Sequence, residues 1–262
     1  MPPQTDQPLR RRTEARPRVL DAGDAAFTLE FGDAVDPALL AAVNALDAAI
    51  AREHAAGRLP GLIETMPTFR SLTVFFDPLQ TGRAELLAAL QPLFDAGAAA
   101  APPPGRRWRL PACYAGDAAA DLDDTARAVG IGTDELIALH SGTDFQVYML
   151  GFLPGLPFMG DLPEKLRLPR RSQPRVRVPA GSVAIANGLS VIYPWESPGG
   201  WHLLARCPVP LFGARREAPA LLAAGDHVRF EPVSLQDCLR LDTAIAAGEI
   251  DPARHFLEAA AR

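Results

Sequence analysis

The stretch Ala98-Ala-Ala-Ala-Pro-Pro-Pro-Gly105 constrains this chain more than any other. Three consecutive prolines cannot continue a helix, because they lack the amide donor and clash with the preceding turn, and they cannot occupy a central strand. The sequence therefore predicts a stiff linker over 98–105 between two separately folding parts. A chain of 262 residues has room for two modest domains. With 48% hydrophobic and 22% charged residues, both halves can build a core, and disorder over most of the chain is excluded. No run of about 18 apolar residues occurs, so no membrane partner is expected. A formal charge of -5 argues against a nucleic-acid partner, which would call for a basic footprint.

Residues 1–17 are rich in Pro, Gln and Arg and lack an apolar signal region, which predicts a disordered tail rather than a secretory leader. Cys113, Cys207 and Cys238 are scattered, fitting neither a disulfide framework nor a zinc knuckle. Reduced thiols and a cytoplasmic location are expected. With no His-x-x-x-His or Cys-x-x-Cys pair, no metal site is expected. Lys165 is the only lysine, and no glycine-rich phosphate loop precedes it.

The first half, 18–97, reads as a small α+β domain. Arg18–Leu20 and Ala25–Phe31 are strand-like and joined by a turn at Asp21–Asp24. Asp36-Pro37 is a helix start, Asp as N-cap and Pro in the first turn, and Leu39, Leu40, Val43, Leu46 and Ile50 follow at helical spacing. Leu62–Met66 and Leu72–Phe76 form a predicted hairpin, and Arg83–Phe94 a second helix. His54 reads as a surface residue.

The second half has a different texture. Trp108–Cys113 is strand-like, and 121–129 and 133–140 read as short helices, the second with Thr133 as N-cap. From Phe145 to Phe230 the chain is made of short extended pieces broken by Gly and Pro, which predicts a β-barrel over 106–235. Closing helices are expected at 236–247 and 252–262.

Four segments carry candidate chemistry. Gly151–Gly160, with Gly155 at its centre, is a rigid Gly/Pro loop that either approaches a ligand or packs as a turn. Pro169–Pro179 holds Arg170, Arg171, Arg175 and Arg177, planar forks suited to a carboxylate or to surface ion pairs. On a strand, alternation would put Arg175 and Arg177 on one face. Ser182, in Ala180-Gly181-Ser182, has no nucleophile elbow around it and is assigned a hydrogen-bonding role. Tyr193–Leu203 gathers Tyr193, Trp195, Glu196, Ser197, Trp201 and His202, an apolar surround with a few polar groups. Glu196 and His202 are the side chains here able to carry a proton in catalysis, although the tryptophans also suit core positions.

At these segments the chain becomes familiar. Cys113-Tyr-Ala-Gly-Asp117, His140-Ser-Gly142, Tyr148-Met-Leu-Gly-Phe-Leu-Pro-Gly155, Pro169-Arg-Arg171, Pro174-Arg175, Val178-Pro-Ala-Gly-Ser-Val183, Ile192-Tyr-Pro194 and Ser197-Pro-Gly-Gly-Trp201 occur in order. Together they resemble the B-component family of 5-oxoprolinase (PxpB), also labelled allophanate hydrolase subunit 1 or KipI, from about Pro17 to Pro232. The resemblance implies an α+β N-terminal domain followed by a cyclophilin-like β-barrel. It also implies work with the A and C components of 5-oxoprolinase and with ATP in opening 5-oxo-L-proline, a small-molecule carboxylate, to L-glutamate, the chain alone being inactive. On that reading Glu196 and His202 are the catalytic candidates. Arg170, Arg175, Ser182, Tyr193, Ser197, Trp201 and Gly155 are the substrate-binding ones. Other branches imply a histidine-kinase-inhibiting binding module or the carboxyltransferase half of a biotin-dependent urea carboxylase. Three segments depart from the family pattern: Cys113-Tyr-Ala-Gly-Asp117 stands for a usual Cys-Tyr-Gly-Gly-Glu, His202 for a usual Gln, and Ala205-Arg206-Cys207 for a usual Gly-Arg-Thr.

Overall fold

The computed structural model describes residues 17–34, 36–97 and 105–259. Apart from Pro17 and Gly105, the expected tail over 1–17 and linker over 98–105 lie outside the described residues. The chain divides into two compact units, Met1–Pro103 and Pro104–Arg262.

In the first unit β1 (Arg18–Asp21) and β2 (Ala26–Glu30) precede α1 (Pro37–Ala55), and β3 (Leu62–Pro67) and β4 (Ser71–Phe76) precede α2 (Arg83–Gly97). The strands form an antiparallel sheet in the order β1-β2-β4-β3. α1 starts where the Asp36 carboxylate accepts the Ala38 amide at 2.8 Å, meeting one of the donors a helix start leaves unpaired. Its stripe Leu39, Leu40, Val43, Leu46 and Ile50 is buried, and Val43, Leu46 and Ile50 join Phe27, Leu72 and Leu90 in one core.

The second unit begins with β5 (Arg107–Ala112), a 3-10 turn at Gly116–Ala119, α3 (Leu122–Ala128) and α4 (Thr133–Gly142). Then come β6 (Phe145–Leu150), β7 (Pro157–Met159), β8 (Arg175–Val178), β9 (Ser182–Ala186), β10 (Leu189–Ile192), β11 (Ser197–Gly199), β12 (His202–Arg206) and β13 (His227–Pro232), with α5 (Leu235–Ala246) and α6 (Pro252–His255) last. Seven strands form a mixed sheet in the order β12-β9-β10-β7-β6-β13-β5, antiparallel except for the β13–β5 pair. The end strands of that order meet again. The Cys113 amide donates to the Arg206 carbonyl at 2.8 Å and the Arg206 amide to the Cys113 carbonyl at 3.0 Å. This exchange joins the two sheet edges at one end and all but closes the sheet into a barrel. All seven strands send side chains into one interior core, among them Trp108, Phe145, Met159, Ile185, Leu204 and Phe230.

Two helix expectations are corrected. Thr133 is the first helical residue of α4, not its cap; Gly132 holds the cap position, and the Thr133 hydroxyl turns to Asp123 at 3.1 Å. The last helix is a single turn, because the Arg109 amide bonds the Phe256 carbonyl and the Glu258 amide bonds the Arg107 carbonyl. Those bonds draw the chain out along the free side of β5, where Leu257 bridges Trp108.

A polar group crosses the interior. His140, wholly buried at the end of α4, lies with Nδ1 2.7 Å from Tyr114 Oη and Nε2 3.2 Å from Ser190 Oγ. Burial penalises the imidazolium and lowers the His140 pKa to about 3. The unfolded chain therefore binds this proton first as pH falls. Stability from neutral His140 is complete above about pH 6.5 and is lost toward pH 3, by about 1.4 kcal/mol per pH unit. Urea unfolding from pH 7 to 4 should show this extra slope in the native chain, and its absence in His140→Gln.

Candidate functional site

β9 explains where the site lies. All five of its residues are buried, although a strand alternates faces. Val183 and Ile185 enter the barrel interior, while Ala184 and Ala186 join a second cluster with Leu156, Val178, Val191, Tyr193, Trp201 and Leu203. Two faces of the strand are thus covered. Val178 reaches the second cluster from β8, which pairs with β11 as a separate two-stranded ribbon.

Beside this second cluster is a pocket of about 340 Å³. Its walls are mostly apolar or aromatic, with Phe152, Leu156, Phe158, Val191 and Trp201 among them, and Arg170 and Tyr193 bring the polar groups. The Arg170 guanidinium lies 5.7 Å from the centroid of the Trp201 ring, in cation–π contact. Among the described residues, no carboxylate pairs with it. Tyr193 is buried, which raises its phenol pKa and keeps the hydroxyl protonated, the nearby Arg170 charge acting the other way. A Cβ added at Gly199 would stand 2.5 Å from Tyr193 Oη. Gly199→Ala is accordingly expected to push Tyr193 into the pocket and cost about 1–3 kcal/mol of stability. The checks are thermal unfolding and ligand affinity, both of which should fall.

The other arginines of this segment have partners. Arg175 grips Asp121 with both terminal nitrogens, at 2.8 and 2.5 Å, and Arg171 reaches the same carboxylate at 2.9 Å. Asp121 is 3% exposed and also accepts the Leu203 amide at 2.8 Å. Burial alone would raise its pKa. The bonds from Arg175 and Leu203 and the charges of Arg175 and Arg171 outweigh that and hold it below its ordinary value. Arg177 pairs instead with Glu196 at 2.9 and 3.0 Å on the exposed ribbon, so Arg175 and Arg177 take different carboxylates.

Of the expected site residues, the pocket brings together Arg170, Tyr193 and Trp201. Arg175 lies behind them in the Asp121 ion pair. The Ser182 hydroxyl donates to the Pro179 carbonyl at 2.8 Å, within its own turn. Ser197, on β11, has a buried hydroxyl without a hydrogen-bond partner among the described residues. Gly155 has φ +78°, and a Cβ there would lie 2.9 Å from Phe212 Cβ, so it seats the loop rather than lining the pocket. Glu196 sits in its ion pair, outside the pocket lining. His202 lines a neighbouring cleft, its Nε2 donating to the Pro169 carbonyl at 2.9 Å.

Two features escape sequence reasoning. Asp121 stands among Asp123 and Asp124, and nothing local distinguishes the buried carboxylate from the solvated ones. Phe152 has φ 67° and is 68% exposed at the pocket, an unfavourable backbone for an aromatic residue that only coordinates reveal. All three cysteines are free and buried, and burial pushes the Cys207 thiol up to about 12. Among the described residues no group of three or more His, Cys, Asp or Glu could hold a metal ion, and no helix is long and apolar enough to cross a membrane.

Residues 17–222 match the family model for the carboxyltransferase domain, subdomain C and D. The chain is 35% identical over 239 residues to the B component of 5-oxoprolinase from Bacillus subtilis (strain 168), covering 85% of this chain and 95% of that protein. It is 36% identical over 174 residues to the B component of 5-oxoprolinase from Escherichia coli O157:H7, covering 66% and 79%. Among solved structures, TTHA0988 superposes with a TM-score of 0.70 at 36% identity over 80% of this chain, which spans only 40% of that longer polypeptide. The urea amidolyase of K. lactis shares the fold, with a TM-score of 0.71 at 20% identity over 95% of this chain and 16% of that one. With most of its length matched by that model and by a relative of nearly equal length, the chain belongs to the B-component family of 5-oxoprolinase, built on the carboxyltransferase subdomain C and D fold.

Proposed function

We propose that this chain is the B component of an ATP-dependent 5-oxoprolinase, acting in the cytoplasm with the A and C components to open 5-oxo-L-proline to L-glutamate. Its domains are 18–97 and 106–235, the second a cyclophilin-like barrel. The observation that carries the reading is the Arg170 guanidinium, free of any carboxylate among the described residues and set over Trp201 in an apolar pocket. 5-Oxo-L-proline is a small ring with one carboxylate and one amide. The carboxylate suits the Arg170 fork, the ring methylenes suit Phe158 and Trp201, and the protonated Tyr193 hydroxyl can donate to the lactam oxygen. Family membership supports the same substrate class.

Ring opening adds water across the amide C–N bond and delivers a proton to the leaving nitrogen. His202, in the cleft that shares Arg170 with the pocket, is the proton-transfer candidate this reading keeps; Glu196 is committed to Arg177. ATP is a substrate whose turnover this reading assigns mainly to the A component, so the chain alone is inactive. The exposed, strained Phe152 at the pocket supports a wall completed by the C component. The test is reconstitution: the chain with its A and C partners should release L-glutamate from 5-oxo-L-proline only when ATP and all three polypeptides are present. Unchanged release without this chain, or inhibition of a histidine kinase with no turnover in any mixture, contradicts the reading.

A further inference from the structure

Arg170 also borders a second cavity. This open cleft of about 440 Å³ is lined by the loop from Leu168 to Gln173 and by Ala128 and His202. Its polar lining consists of two guanidinium groups (Arg170, Arg171), the His202 imidazole, the Ser172 hydroxyl and the Gln173 amide, with no carboxylate. Charge is unbalanced in the same direction. Arg171 and Arg175 share the single carboxylate of Asp121, and Arg170 has none among the described residues.

One donor there is also frustrated. Arg171 sends Nη1 to Asp121, but its Nε is buried and has no acceptor among the described residues. The carboxylate it shares with Arg175 therefore leaves Arg171 incompletely satisfied beside the cleft. The loop is held in advance. The Asn187 amide bonds the Leu168 carbonyl at 2.7 Å, the Arg171 amide bonds the Gly200 carbonyl at 2.8 Å, and His202 Nε2 bonds the Pro169 carbonyl at 2.9 Å. A cradle fixed at these points gives up little freedom on binding.

We propose that this cleft is an anion-binding site for a phosphoryl group. A carboxylate offers two oxygens. The cleft presents the Arg170 fork, the remaining terminal donor group of Arg171, the Ser172 hydroxyl and the Gln173 amide, a set that can serve the three terminal oxygens of a phosphoryl group, while His202 holds the loop through Pro169. The group comes either from a nucleotide or from free phosphate or a phosphorylated small molecule. The site shares Arg170 with the pocket proposed above to hold the lactam, but phosphoryl binding is measurable without that ligand.

The test is a 1H–15N NMR titration of the full chain alone with inorganic phosphate and, separately, with ATP. Acetate and chloride at matched ionic strength serve as controls. Saturable shifts should appear at amides of the 168–173 loop and at His202. Arg170→Ala and His202→Ala, both on exposed or half-exposed positions, should each weaken phosphate binding at least tenfold with little change in melting temperature. ATP binding tenfold tighter than phosphate identifies a nucleotide as the source, and equal affinities identify free phosphate or a phosphorylated small molecule; both support the site. Shifts that do not saturate, that chloride reproduces, or that survive both substitutions overturn it. Neither 5-oxo-L-proline nor a partner polypeptide is present. Phosphate binding with failed reconstitution therefore leaves the cleft standing and removes the proposed activity, and the opposite pair of results does the reverse.

Discussion

Asp121→Ala is expected to lower the unfolding free energy by about 3–5 kcal/mol. The substitution leaves the Arg171 and Arg175 guanidinium groups and the Leu203 amide without the carboxylate they share. Two of those partners are charged and largely enclosed, so water replaces the lost contact poorly. Asp121→Asn keeps the shape and one acceptor but removes the charge, and should fall between the native chain and Asp121→Ala. The same group gives a pH signature. Its folded pKa lies below its ordinary value of 3.8, so its contribution is complete above that value and is lost as pH falls through the lowered one. Chemical denaturation at pH 7 measures the first effect. Comparing native chain and Asp121→Asn between pH 5 and 2 measures the second, and the two should converge at the acid end. A loss below about 1 kcal/mol at pH 7 would show that the carboxylate does not organise this region.

Arg170→Ala and Arg175→Ala should separate cleanly, although both residues belong to one arginine-rich segment. Arg170 touches no carboxylate among the described residues and lines the pocket, so its loss should leave the melting temperature within about 2 °C while removing the proposed substrate anchor. A charged contact of this kind is worth about 2–5 kcal/mol, which puts the fall in kcat/KM of the reconstituted complex at about 30-fold or more. Arg170→Lys keeps the charge but loses the planar fork and the stacking on Trp201, and should recover only part of the activity. Arg175→Ala should instead cost stability, because Asp121 keeps Arg171 but loses a two-point partner. Loss of activity in Arg175→Ala at unchanged stability, with Arg170→Ala fully active, would reverse the assignment.

These contrasts mark what the amino-acid order discloses. The α1 stripe and its Asp36-Pro37 start are local events, governed by helix period and capping, and are legible without coordinates. The Gly/Pro punctuation after Phe145 announces short strands in the same way. Which strands pair is not local. The bond exchange between Cys113 and Arg206 joins residues 93 positions apart (206 minus 113), and no pattern in either neighbourhood signals it. The last helix fails for a related reason: 252–262 has helical composition, yet the unpaired side of β5 offers Leu257 and Glu258 better backbone partners.

The site shows the same division. Residue type alone makes Arg170 and Arg175 equivalent candidates; the distinction lies in a carboxylate about 50 positions upstream of both. The Tyr193–Leu203 segment is conspicuous by composition, and Tyr193 and Trp201 do meet in the pocket, while Glu196 turns to Arg177 because the ribbon places them side by side. Ser182 looks available at a strand start, but its hydroxyl closes a turn onto Pro179.

In the proposed function, one outer pocket of the second unit holds the lactam by its carboxylate. The most direct measurement is a crystal structure of the complex with its partner polypeptides soaked with 5-oxo-L-proline. The ligand carboxylate is expected about 2.7–2.9 Å from the Arg170 guanidinium, with the ring against Phe158 and Trp201. A ligand bound elsewhere, with Arg170 left in solvent, would contradict it.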